Sequence, residues 1–167
     1  TKDGSYLFYG VQFSNYDASF IENCKTNISN LDTSVVTDMN NMFALSDVDF
    51  DLTWNTSQVT DMSYMFYYAN DFDQDIGSWN TSQVTDMSHM FYHVVYFNKD
   101  IGSWNTSSVK DMSSMFKYAA SFNKYIGSWN TSQVTDMSHM FYIARSFNQD
   151  IGSWNTSQVT DMSHMFY

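Results

Sequence analysis

The sequence predicts an α/β tandem-repeat solenoid built from coils of 25 residues, with one short strand and one helical turn segment in each coil. Three observations carry this. Trp54, Trp79, Trp104, Trp129 and Trp154 lie 25 residues apart without a slip and are all the tryptophans of the chain. All twelve methionines fall in one phase of that period, as Met-x-x-Met-Phe, from Met39 and Met42 to Met162 and Met165. Gly77, Gly102, Gly127 and Gly152 keep the phase as well. A fixed period of this size, with apolar positions held while others vary, marks stacked repeats that bury their edges against one another. Heptads are absent, propeller blades need a longer period, and collagen needs glycine at every third place.

In chain order, residues 1–30 match the repeat poorly and read as an N-terminal cap or degenerate repeat. Residues 31–167 read as tandem repeats starting near 31, 54, 79, 104, 129 and 154. The first is weaker: Leu31 takes the tryptophan place and Asp32 the asparagine place, while Val36, Asp38, Met39, Met42 and Phe43 fit. Within a coil, Thr85-Asp86 suits a helix N-cap and first turn. Val84, Met87, Met90, Phe91 and Val94 then follow at spacings of three and four, which predicts one helical face. The stretch from Phe97 through Ile101 to Trp104 predicts the short strand with tight bends. Coils in register, about 4.8 Å apart, would stack a core ladder of Trp54, Trp79, Trp104 and Trp129. Met65, Met90, Met115 and Met140 and Phe66, Phe91, Phe116 and Phe141 would complete it.

Composition bounds the function. A formal charge of -11 repels phosphate backbones and anionic headgroups, which excludes nucleic acid as a partner. Hydrophobic residues make up 43% and aromatic ones 19%, too much for a disordered chain. Cys24 is the one cysteine, so no intramolecular disulfide forms; a small buried hydrophobe is the preferred reading over a bridging or reactive thiol. No stretch reaches the ~18 apolar residues of a transmembrane segment, and the opening Thr1-Lys2-Asp3-Gly4 reads as a mature or excised segment.

The unit Val-Thr-Asp-Met-Ser-x-Met-Phe…Phe-Asn-x-x-Ile-x-x-Trp-x-Thr-Ser, over residues 31–167, resembles the repeat of BspA-like leucine-rich-repeat surface proteins, in particular the surface-lipoprotein repeat of mycoplasmas. The resemblance implies a right-handed leucine-rich-repeat-type solenoid, an extracellular or cell-surface location, and roles in adhesion and surface structure.

Asn55, Asn80, Asn105, Asn130 and Asn155 each open Asn-Thr-Ser, an acceptor pattern for N-linked glycan, and Asn27 opens Asn-Ile-Ser outside the repeat phase. The competing reading is an asparagine or cap ladder bonded between coils. Asp38, Asp61, Asp86, Asp111, Asp136 and Asp161 form an acidic column read as helix caps, with calcium bridging as the lesser alternative. Asp75, Asp100 and Asp150 form a third column that Tyr125 breaks, which argues against a metal ligand. His89, His139 and His164 share a column with Tyr64 and Ser114, and so read as a variable surface position and not a zinc or catalytic site. Tyr67, Tyr92, Tyr142 and Tyr167, with Lys117 in the fourth copy, read equally as a sugar- or protein-binding stripe or as a packed ridge.

No enzyme and no cofactor are expected, because repeats copy one group along a rod where catalysis needs unlike groups in one pocket. The expected function is an extracellular structural repeat protein that assembles end to end into a filament or surface layer. The chain stops in mid-coil, which leaves Trp154, Met162, Met165 and Phe166 as an assembly face for self-association. The alternative is an adhesion module binding a protein or glycan through exposed columns.

Overall fold

A computed structural model of the chain describes residues 3–12 and 18–167. Among them the only helix is α1, Ala18–Ser29, outside the repeats, and no strand is longer than an isolated bridge. The α/β leucine-rich-repeat solenoid expected from the sequence, with a strand and a helical turn per coil, is therefore overturned. The repeats are built of turns.

The segment expected to be helical shows why. Backbone N–H groups of Met87, His89, Phe91 and His93 donate to the carbonyls of Asp111, Ser113, Met115 and Lys117 in the next copy, at 2.8–3.0 Å. The N–H groups between them donate three residues back: Met90 to Met87, Tyr92 to His89 and Val94 to Phe91. Every second donor thus leaves its own segment, and no i→i−4 ladder can form. His89 and His93 both take φ 58°, in the left-handed region, at the third position of the turns closed by Met90 and Val94. Positive φ there belongs to type II turns and breaks a right-handed helix. The same pair recurs at Asn41 and Leu45, Tyr64 and Tyr68, Ser114 and Tyr118, and His139 and Ile143.

Burial explains the misreading. Val84, Met87, Met90, Phe91 and Val94 are all buried, as a helical face would be, but consecutive turns point them inward. The aspartates do not cap helices either. Asp61, Asp86, Asp111 and Asp136 each accept the N–H of the serine two residues on, at 2.8 Å, which closes an Asx turn.

Copies meet through single parallel bridges that run Asp3, Asp38, Asp61, Asp86, Asp111, Asp136, Asp161. Residues 3–10 are thus one more copy of the turn segment, although 35 residues separate Asp3 from Asp38 in sequence. Asp3-Gly4-Ser5-Tyr6-Leu7-Phe8-Tyr9 matches Asp61-Met62-Ser63-Tyr64-Met65-Phe66-Tyr67 at Asp, Ser, Tyr, Phe and Tyr. Helix α1 docks on the first full copies by its end: Ile28 is buried and its carbonyl accepts the Trp54 indole N–H at 2.8 Å.

Three aromatic columns form the core. Phe8, Phe43, Phe66, Phe91, Phe116, Phe141 and Phe166 stack copy on copy with centroids 5.1–5.8 Å apart. Phe72, Phe97, Phe122 and Phe147 stack at 5.8–6.0 Å, and Trp104, Trp129 and Trp154 at 6.3–6.4 Å. Each fully buried large side chain contributes about 1.5–3 kcal/mol. The indoles are satisfied too: those of Trp79, Trp104, Trp129 and Trp154 donate to carbonyls 27 or 28 residues back, of Leu52, Ile76, Ile101 and Ile126, at 3.0–3.1 Å. Thr56, Thr81, Thr106 and Thr131, each 1% exposed, donate their hydroxyls to the asparagine carbonyl of the following copy at 3.0 Å.

Candidate functional site

The left-handed pairs set up the site. Turns with Tyr64 and Tyr68 at their third position, and their equivalents, place rings on both sides of the tyrosine that follows Met-Phe. Tyr64, Tyr67, Tyr68, Tyr92, His93, Tyr118 and Tyr142 are half-buried, each showing part of a ring. Tyr64 stacks on His89 at 4.4 Å, Tyr67 on Tyr92 at 4.8 Å and Tyr68 on His93 at 4.6 Å. Tyr92 then meets Tyr118 edge-on at 5.6 Å, Tyr118 meets Tyr142 at 5.7 Å, and Tyr142 stacks on Tyr167 at 4.9 Å. His139 and His164 lie 5.0 Å apart beside them. The result is a stripe of rings along the copies.

One cation lies on this stripe. Lys117 holds the tyrosine place of its copy, and its Nζ sits 4.7 Å from the Tyr142 centroid, 5.8 Å from Tyr118 and 5.9 Å from Tyr92. Burial, helped by the neighbouring Tyr68 and Tyr67, pushes the Tyr92 phenol up to about 12. Burial raises Tyr64 as well, reinforced by Asp86 and Asp111, and it raises Tyr67. These phenols therefore stay neutral and offer ring faces and hydroxyls. Burial lowers the His89 imidazole below its ordinary value, and its Nδ1 is buried without a hydrogen-bond partner.

Beside Tyr68 lies an open recess of about 240 Å³ lined by Gln12, Leu45, Ser46, Asp47, Asn70 and Asp71. A second recess of about 160 Å³, more apolar, lies between residues 3–7 and the first copy and is lined by Leu7, Leu31, Val36, Met42 and Trp54 among others. Among the described residues no group of three or more His, Cys, Asp or Glu is placed to hold a metal ion.

The residues singled out from the sequence fall as follows. Asn55, Asn80, Asn105, Asn130 and Asn155 are exposed, and the side-chain oxygen of each accepts the N–H of the serine two residues on, at 3.0–3.1 Å. Inter-copy amide bonding occurs elsewhere: Asn98, Asn123 and Asn148 donate their N–H to the side-chain oxygens of Asp73, Asn98 and Asn123. Asn27 is exposed near the end of α1 and donates to Asn23 at 2.9 Å. Trp154 and Met165 are buried, whereas Met162 is 45% and Phe166 58% exposed. Trp54, Trp79, Trp104, Trp129, Met65, Met90, Met115, Met140, Phe66, Phe91, Phe116 and Phe141 are all buried. Cys24 is half-buried against the core. Sequence reasoning missed the column Tyr68, His93, Tyr118, because no single residue type marks it.

A family model described as "Mycoplasma protein of unknown function, DUF285" matches residues 11–111 and 92–167. No curated protein and no solved structure matches the chain. Among the described residues no helix is long and apolar enough to cross a membrane.

Proposed function

Since the chain belongs to the DUF285 family of mycoplasma proteins, we propose that it is a non-catalytic surface repeat protein that lies outside the cell and binds a partner along its stripe of tyrosine and histidine rings. The observation that carries this reading is the run of half-buried rings in contact from Tyr64 to Tyr142, on which the exposed Tyr167 stacks. Tyrosine offers large contact area with little rotamer entropy to lose, and a hydroxyl to orient the partner. Copies in series give several weak contacts one effective concentration, so avidity grows without a deep pocket. The repeat's resemblance to BspA-like surface proteins supports the extracellular placement. Like groups in a row favour binding over catalysis, which needs unlike groups converging.

The test is adhesion of beads carrying the full chain to host extracellular matrix. Replacement of Tyr67, Tyr92 and Tyr142 by serine should abolish saturable adhesion while near-ultraviolet circular dichroism stays unchanged. Undiminished adhesion by that variant would count against the stripe.

A further inference from the structure

We propose that Tyr67 and Tyr92 form a site of oxidative cross-linking, at which a peroxide-fed one-electron oxidant joins the two rings by a carbon–carbon bond and ties neighbouring copies together. Such a site needs only the contact between the rings, so it holds whether or not the stripe binds a partner.

The repeat brings the two phenols together. Each follows Met-Phe in its copy, and the parallel bridge from Asp61 to Asp86 holds the two copies in register. Equivalent side chains therefore run side by side, with ring centroids 4.8 Å apart and an interplanar angle of 29°. In-register stacking sets the carbons ortho to one hydroxyl beside those of the other, where a phenoxyl radical concentrates its unpaired electron. Both rings are half-buried, so packing fixes them while part of each stays open to an oxidant. The neighbouring Phe66 and Phe91 stack in the same way at 5.8 Å, but they are fully buried and carry no phenol. Tyr142 and Tyr167 repeat the tyrosine geometry at 4.9 Å and 23°. Lys117 takes the tyrosine place between the two pairs and interrupts the column.

The chemistry balances with a peroxide as the oxidant. Burial keeps both phenols neutral, raising that of Tyr67 and pushing that of Tyr92 up to about 12, so each gives up an electron and a proton together. Hydrogen peroxide, acting through a peroxidase haem, takes the two electrons and two protons and leaves as two waters. The two phenoxyl radicals couple between ortho carbons, and each of those carbons then passes its hydrogen to the oxygen beside it, which restores both phenols. The product is the chain less two hydrogen atoms. Rings already in contact couple faster than rings that must meet between chains. Tyr67 and Tyr92 are 25 residues apart, so the bond closes a loop of the unfolded chain and the linked protein should unfold at a higher temperature.

The test treats the dilute full chain with hydrogen peroxide and a catalytic haem peroxidase, then reads dityrosine fluorescence, intact mass and the linked peptides. A monomer lighter by two hydrogen atoms should form, with a peptide joining Tyr67 to Tyr92, at a fractional rate that does not change with protein concentration. Tyr6, Tyr96 and Tyr125 supply the contrast: they are exposed, so links between chains form there and grow with concentration. Tyr92→Phe keeps the ring and removes the phenol. Its near-ultraviolet circular dichroism should match that of the native chain, the Tyr67 link should vanish, and the link from Tyr142 to Tyr167 should remain. Lys117→Tyr restores the column and should add a link from that position to Tyr92 or Tyr142. Adhesion is measured on the unoxidised chain, so a failure here leaves the binding reading untouched. Links confined to exposed tyrosines of different chains would overturn the proposal. A link from Tyr68 to Tyr92 in place of the expected one would overturn it too, because those rings lie 5.4 Å apart and are tilted by 41°.

Discussion

His89 shows how a single residue answers to several demands. It takes a left-handed φ of 58°, stacks on Tyr64 and buries an unpartnered Nδ1. Burial disfavours its charged form, so its folded pKa lies below the ordinary imidazole value of 6.5. The unfolded chain then binds more protons between those two values. The stability this group contributes is complete above pH 6.5 and is lost as pH falls from there toward the folded pKa. Thermal unfolding followed from about pH 7.5 to about pH 5.5 should show a falling midpoint, and His89→Tyr should flatten the slope. Tyrosine is already accommodated one copy earlier, at Tyr64 with φ 56°. Ser114 tests the turn geometry without a ring: at φ 55° and 6% exposure, Ser114→Gly should change stability by less than about 1 kcal/mol, whereas Ser114→Val should cost more than about 2 kcal/mol, measured by denaturant unfolding.

At the scale of one copy, close approach between neighbours decides what is tolerated. A Cβ on Gly77 would lie 2.5 Å from the Asp100 carbonyl oxygen of the next copy, whereas on Gly152 it would meet only its own Asp150 carboxylate, at 3.2 Å. Gly77→Ala should therefore cost about 1–3 kcal/mol by forcing two copies apart, and Gly152→Ala much less. Calorimetry of the two variants checks this. Thr81→Val keeps the shape but leaves the Asn105 carbonyl without its hydroxyl donor, a loss of about 1 kcal/mol. The sequence made the burial of this unit legible, because Trp79, Met87, Met90 and Phe91 recur at fixed intervals and all are buried. It did not make the backbone legible: spacings of three and four fit a helix face and a chain of turns equally well. What separates the two is hydrogen bonding to a copy 24 or so residues away, which local propensity does not encode. The stripe was half legible. Tyr67, Tyr92, Tyr142 and Tyr167 announce themselves, but Tyr68, His93 and Tyr118 join them only because each takes positive φ, and tyrosine is not a residue that ordinarily signals it.

Across the whole molecule, contacts run from each copy to its neighbours, so stability grows by copy and by interface. Residues 3–10 extend this stack at one side of the Asp38 copy, a placement hidden in sequence by the intervening helix α1 and visible only through Asp3, Ser5, Tyr6, Phe8 and Tyr9. Removing residues 143–167 should lower the unfolding midpoint and yet leave the remaining copies folded, as tryptophan fluorescence would report. The account's central claim is that the segment after each bridging aspartate bonds to the following copy and not to itself. Nuclear magnetic resonance measures that directly, through the scalar coupling carried across a hydrogen bond from an amide nitrogen to its acceptor carbonyl carbon. The account predicts a coupling between the Phe91 nitrogen and the Met115 carbonyl, whose N···O separation is 2.9 Å. A coupling from Phe91 to the Met87 carbonyl instead would mean that a helix forms there, and would contradict it.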